Sequence, residues 1–237
     1  MKVLLIIPAY NEEENILRVC REIEEYSSEI DYVVINDGSR DKTKRILEEN
    51  HLNHVNLVHN LGIGGAVQTG YRYAYLHNYD IAIQFDGDGQ HDINYVKDIC
   101  EPIIEGKANL VIGTRYLDKS KSSFQSTFMR RLGSRFISFM IKCLCKQKIT
   151  DPTSGFRAAD KSIIEEFSRD YPTDYPEPES TVCMLKKGYK VTEVPVNMKE
   201  RVAGKSFVSP WTSIDYMIKV SLAIFIDSIG IKKERRK

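Results

Sequence analysis

The chain has 237 residues, 42% of them hydrophobic, and carries 34 basic against 33 acidic side chains for a formal charge of +1. That length and apolar content suffice for one large domain with a full core, and so even a charge balance gives no global field to recruit nucleic acid. The five cysteines (Cys20, Cys100, Cys143, Cys145 and Cys183) are odd in number and fit no zinc spacing. Cys20 and Cys100 fall in helical apolar patterns, where a free thiol behaves as a small hydrophobe. The apolar run 3–7 behind Met1-Lys2 is too short for a secretory leader and stops at Pro8. A reducing, cytoplasmic setting is therefore expected.

Strands are expected at 3–7, 32–35, 55–58, 81–85 and 110–112, each almost wholly apolar, as in strands covered on both faces. Helices are expected between them. Asn11, with Glu14 three residues on, has the pattern of a capping box, and Ile16, Val19, Cys20, Ile23 and Tyr26 follow on one helical face. Ile63, Ala66, Val67, Gly70, Tyr71, Ala74 and Tyr75 make a second face, whose tyrosines read as core packing. Further on come a helix at 129–145, a loop at 150–157, a short helix at 179–187, a strand at 190–196 and a final helix at 210–231. The order β-α-β-α-β-α-β predicts an α/β fold, an open and mostly parallel sheet flanked by helices. In such sheets ligands bind beyond the carboxyl ends of the strands, and the polar clusters 8–11, 36–41 and 86–92 all fall there.

The stretch Gln84-Phe85-Asp86-Gly87-Asp88-Gly89-Gln90-His91-Asp92 carries the most chemistry. Two carboxylates separated by glycine at a strand end can approach one hard cation, as Mg²⁺ is held by one or two carboxylates plus substrate phosphates. Gln90 offers a further carbonyl oxygen. An Asp/Gly turn is the plainer use of the same residues. Asp37, closing the second strand, can accept hydrogen bonds from a base or ribose, or serve a turn in which Ser39 caps a helix. The glycines at 62, 64 and 65 precede a helix, which suits phosphate or a tight turn. Arg115 ends the fifth strand, where a guanidinium suits bidentate phosphate binding. Arg130 and Ser134 lie four apart and share a helical face, beside Arg131 and Arg135. Glu177 and Glu179 are candidate sugar or general-base contacts, or acids serving a helix start.

Five motifs occur in order: Pro8-Ala9-Tyr10-Asn11-Glu12-Glu13, Asn36-Asp37-Gly38-Ser39, Asp86-Gly87-Asp88-Gly89-Gln90-His91, Gly113-Thr114-Arg115-Tyr116 and the stretch 151–157. With them, over about residues 3–206, the chain resembles the family 2 inverting glycosyltransferases of the GT-A fold. Within that family it is most similar to the dolichyl- or polyprenyl-phosphate hexosyltransferases, the dolichol-phosphate mannosyltransferase branch. The resemblance implies a Rossmann-like nucleotide-binding domain over 1–208, ahead of an amphipathic helix and basic tail over 209–237. It implies that Pro8, Tyr10, Glu12, Asp37 and Asp86 hold a UDP- or GDP-sugar donor, and that Asp86, Asp88 and Gln90 hold Mg²⁺ or Mn²⁺. Arg115, Arg130 and Ser134 correspond to acceptor-phosphate positions, with Arg131 the alternative to Arg130. Arg201 and Lys205 correspond to a segment that closes over the donor. Asp88, Arg115 and Asp151 are the catalytic positions so implied. Several members carry transmembrane helices after this domain, which are not found here.

A polyprenyl phosphate is already anionic and needs no strong base, whereas a hydroxyl acceptor does. Asp151, Glu177 and Glu179 are the candidate bases. The expected reaction is thus inverting hexosyl transfer to a polyprenyl phosphate. Transfer to a glycan hydroxyl, or a non-catalytic nucleotide-sugar-binding subunit, are the alternatives. Trp211, Ile214, Met217, Ile218, Ser221, Leu222, Phe225 and Ile229 recur at helical spacing, but Lys219 and Asp227 interrupt them, leaving no run of the ~20 apolar residues that a span needs. With the cationic tail 232–237, this suggests peripheral attachment to the inner face of the membrane, either directly on anionic lipid or through a small membrane subunit. Packing of the same helix on the domain is the competing use, and a homo-oligomer is compatible with the chain.

Overall fold

The computed structural model describes residues 1–116, 128–199 and 210–230, with backbone alone for 128–130 and 210–216. Its strands are β1 (Val3–Ala9), β2 (Ile30–Asn36), β3 (His54–Asn56), β4 (Ile81–Gln84), β5 (Leu110–Thr114), β6 (Arg157–Asp160) and β7 (Val191–Pro195). Its helices are α1 (Ile16–Tyr26), α2 (Thr43–Glu49), α3 (Gly62–Leu76), α4 (Val96–Ile104), α5 (Phe128–Cys145), α6 (Lys161–Arg169), α7 (Pro176–Lys187) and α8 (Pro210–Gly230). The strands form one sheet in the order β3-β2-β1-β4-β6-β5-β7. All pairs are parallel except those of β6, which runs antiparallel to both β4 and β5. The expected mostly parallel α/β sheet is present.

Alternation along β1 feeds two cores. Leu4 and Ile6 pack with α3, α6 and Phe167 on one face of the sheet. Leu5 and Ile7 pack with Ile16, Val19, Cys20 and Ile23 of α1 and with α4 on the other. Gly70 is what lets α3 lie on β1, since a Cβ there would sit 2.1 Å from Ile6 Cγ2. The expected α3 face is buried at Ala66, Val67, Gly70, Tyr71 and Ala74, and Tyr71 meets Phe167 edge-on at 5.0 Å. Ile63 and Tyr75 depart from that face and are exposed. Cys20 and Cys100 are buried free thiols, each pushed up to about 12, chiefly by burial.

Four local expectations are corrected. Asn11 does not cap α1: it sits at φ 56°, and the helix begins at Ile16 without a side-chain cap. Its side chain instead accepts from Arg40 N, while Ser39 Oγ, expected to cap a helix, accepts from Asn11 N. Residues 157–160, expected to follow a loop, form β6. The helix expected at 179–187 begins three residues earlier, at Pro176, where proline suits the first helical turn.

The direction of the strands decides where the polar loops meet. In the β1–β2 register Ala9 lies opposite Asn36, and in the β1–β4 register Ile6 lies opposite Gln84, so these three strands end at one edge. Because β6 is reversed, its first residue, Arg157, pairs with Gln84 and delivers the preceding loop to the same edge. Between β1 and β4 the chain changes the side of the sheet on which it adds strands, the crevice where α/β sheets bind ligands.

Candidate active site

A cleft of about 490 Å³ opens at that crevice. Pro8, Tyr10 and Glu12 line it from the end of β1, Asp37 from β2, and Gln84, Asp86 and Asp88 from β4. Gly62 and Ile63 of α3, Gly155 of the loop before β6 and Glu177 of α7 complete the wall. Six of the residues expected to hold donor or cation thus share one surface, although they lie as far as 80 positions apart in the sequence.

Asp37 is 3% exposed. Its Oδ1 accepts from Leu61 N at 2.7 Å, and its backbone oxygen accepts from Asn60 Nδ2, so it fixes the turn into α3. Gly38 follows at φ +66°, where a Cβ would meet Asn60 N at 2.8 Å, and only glycine fits without strain. Of the three glycines of the α3 start, Gly62 faces the cleft, while Gly64 makes room for the backbone at Pro172 and Thr173.

In the β4 loop, Asp88 Oδ1 accepts from Gln90 N at 3.0 Å, and Gln90 O accepts from Lys199 N at 2.8 Å. Gln90 lies outside the cleft wall. His91, 1% exposed, stacks on Phe156 at 4.8 Å and accepts at Nδ1 from Asp86 N. Its pKa is pushed down to about 4 by burial, which outweighs the attraction of Asp88. Gly155 makes room beside the Asp86 carboxylate: a Cβ there would lie 3.0 Å from Gln84 Nε2 and 3.1 Å from Asp86 Oδ2. Two carboxylate-bearing residues on one cleft wall suit a hard divalent cation. Among the described residues no three His, Cys, Asp or Glu side chains are grouped to hold one. Its remaining ligands would be substrate phosphates and water, the usual manner for Mg²⁺.

The remaining predicted residues fare differently. The Arg115 fork, expected on phosphate, is spent on Asp151. Nε reaches Oδ2 at 2.7 Å and Nη2 reaches Oδ1 at 2.8 Å, and neither residue belongs to the cleft wall. Burial works against the Arg115 charge, but the hydrogen bond and charge of Asp151 prevail and raise its pKa. Asp151, expected to be catalytic, is fully buried and held again at its backbone N by Glu193 Oε1. Ser134 lies on the buried side of α5, its Oγ without a hydrogen-bond partner among the described residues. The Arg130 side chain, Arg201 and Lys205 lie outside the described residues.

Two buried residues carry roles that the motifs did not reveal. Arg157, 1% exposed, donates to Ser154 O, Pro152 O, Glu177 O, Ser180 Oγ and Thr181 Oγ1, tying the loop before β6 to the start of α7. Gln84, also 1% exposed, extends Nε2 to 3.4 Å from Glu177 Oε1. A polar residue closing an apolar strand was the available signal for Gln84. Burial pushes the Glu177 carboxyl above its ordinary value, with Arg157 opposing.

Residues 4–168 match the family model described as Glycosyl transferase family 2. The chain belongs to that family. The glycosyltransferase is 32% identical over 214 residues to the UDP-N-acetylglucosamine--dolichyl-phosphate N-acetylglucosaminyltransferase of Methanococcus voltae, covering 82% of this chain and 84% of that protein. It is 27% identical over 233 residues to the polyprenol monophosphomannose synthase of Mycolicibacterium smegmatis, covering 93% and 86%. Its fold is similar to that of glucosyl-3-phosphoglycerate synthase from Mycobacterium tuberculosis in complex with Mn²⁺, UDP and phosphoglyceric acid. The TM-score is 0.73 at 17% identity, over 98% of this chain and 80% of that one.

Proposed function

We propose that this glycosyltransferase moves a hexosyl group from a UDP- or GDP-sugar to a polyprenyl phosphate, with inversion, at the cytoplasmic face of a membrane. The observation that carries the reading is the shared cleft of Asp37, Asp86 and Asp88 at the β1–β4 crevice. Asp37 receives the nucleoside, Asp86 and Asp88 receive Mg²⁺ or Mn²⁺, and Gln84 with Glu177 meets the hexose hydroxyls. A bound cation supplies Lewis-acid stabilisation of the departing diphosphate. Arg201 and Lys205 are assigned to the same diphosphate from their sequence positions. An acceptor phosphate oxygen bonds to the anomeric carbon as the bond to the nucleoside diphosphate breaks.

The lipid acceptor is supported by the names of the relatives and by the surface of two helices. On α5, Leu132, Phe136 and Phe139 form an exposed row, flanked by exposed Arg131, Arg135 and Lys142. The described part of α8 turns Val220 and Ile224 inward and leaves Ile218, Leu222, Phe225 and Ile229 exposed on its other side. The two helices pack together, Met217 Sδ lying 3.1 Å from where a Cβ on Gly133 would be. Among the described residues no helix is long and apolar enough to cross a membrane. An exposed apolar row flanked by basic side chains, as on α5, suits an anionic lipid surface.

A second reading, transfer to a glycan hydroxyl, draws on Glu177, the one candidate base on the cleft wall. The test is product formation by the pure chain with Mn²⁺, UDP- and GDP-hexoses, and either a polyprenyl phosphate or an oligosaccharide. Glycosylated polyprenyl phosphate is expected, abolished by chelation; product only on the oligosaccharide overturns the lipid reading.

A further inference from the structure

We propose that His91 is a positioning residue that fixes the Asp86 carboxylate for the divalent cation; this rests on the assignment of Asp86 and Asp88 to that cation. Both nitrogens of the His91 ring face Asp86. Asp86 N donates to Nδ1 at 2.9 Å, so the ring proton belongs on Nε2. Nε2 in turn lies 3.3 Å from Asp86 Oδ2. The ring cannot turn away. It is stacked on Phe156 with an interplanar angle of 21°, meets Phe85 edge-on at 5.5 Å, and His91 forms a β-bridge with Met198. Packing alone would be met by an apolar ring, but that ring would present no acceptor to Asp86 N–H and no donor toward its carboxylate. Outer partners of this kind set the orientation of ligating groups, and their loss costs about 10–100-fold in metal affinity or activity.

The test is Mn²⁺ uptake by the full chain, read from the loss of the free-ion electron paramagnetic signal, with UDP or GDP present. His91→Phe keeps a ring for Phe156 and removes both polar contacts. His91→Asn keeps an acceptor near Nδ1, and His91→Gln reaches the Nε2 position with a donor. His91→Phe and His91→Asn are expected to weaken Mn²⁺ uptake by roughly tenfold or more, with His91→Gln closer to the parent. Raising Mn²⁺ should restore kcat in the weakened variants, which a general packing defect would not allow. Should His91→Phe fail to fold, the contrast between Asn and Gln carries the test. Parental uptake with equal uptake by all folded variants overturns the role of His91 alone. A parent chain that takes up no Mn²⁺ overturns the cation assignment and this inference together.

Discussion

Arg115 and Asp151 close on each other in a two-pronged ion pair whose side chains are 6% and 0% exposed. Arg115 N also donates to Asp151 Oδ2, so the end of β5 is locked to the loop that precedes β6. Breaking a buried pair by removing one partner typically costs about 3–5 kcal/mol, because the other charge is left uncompensated. Arg115→Ala should therefore lower the urea midpoint strongly. An unchanged midpoint with a raised acceptor KM would return Arg115 to the phosphate.

Gly155→Ala places a methyl group within 3.2 Å of both Asp86 carboxylate oxygens. The fold should survive, since the methyl group faces the cleft wall. Displacing a ligating group by a fraction of an ångström should cost roughly tenfold to a hundredfold in turnover. Unchanged kinetics over a Mn²⁺ titration would mean that Asp86 is not held where the cation needs it.

Glu179 on α7 shows the opposite electrostatic situation to Asp151. Its Oε1 is buried without a hydrogen-bond partner among the described residues. Burial first, then the charges of Asp227 and Asp174, push its pKa from 4.5 to about 7. A carboxyl raised in the folded state binds more protons there than in the unfolded chain, so stability falls as pH rises from about 4.5 to about 7. Glu179→Gln should raise Tm by about 2–4 °C at pH 8, the shift that roughly 1 kcal/mol gives in a chain of this size, and leave it unchanged at pH 4. Equal shifts at both pH values would contradict this.

Phe136 and Phe139 are 49% and 63% exposed. Replacing both with serine should leave Tm unchanged, because neither packs in the core. Co-sedimentation with vesicles of anionic lipid at low salt should drop severalfold. Retained sedimentation would assign the α5 row to something other than a membrane.

That Asp37, Asp86 and Asp88 would share one cleft was legible in the sequence because it depends on local chemistry. Asp37, Asp86 and Asp88 are acidic residues in Gly-containing turns directly after apolar strands, and parallel strands bring such turns to one edge. The Arg115–Asp151 pair was not legible, since the partners are 36 residues apart and nothing local distinguishes an arginine awaiting phosphate from one facing a buried aspartate. β6 escaped notice because its four residues are Arg157-Ala158-Ala159-Asp160, with charges at both ends and no β-branched side chain. Asn11 looked like a cap because capping and loop cross-linking use the same side-chain oxygen. Of the uses weighed for the final helix, packing on the domain is seen at Val220 and Ile224, and its apolar residues are too numerous for that single face.

Asp88→Asn tests the central claim most directly, because it keeps the shape of the loop and removes one cation-binding charge. With Mn²⁺, sugar nucleotide and polyprenyl phosphate, the variant should lose at least about a hundredfold in turnover, with its melting temperature near that of the parent. A folded Asp88→Asn protein that turns over at the parental rate, with unchanged dependence on Mn²⁺, would contradict the account.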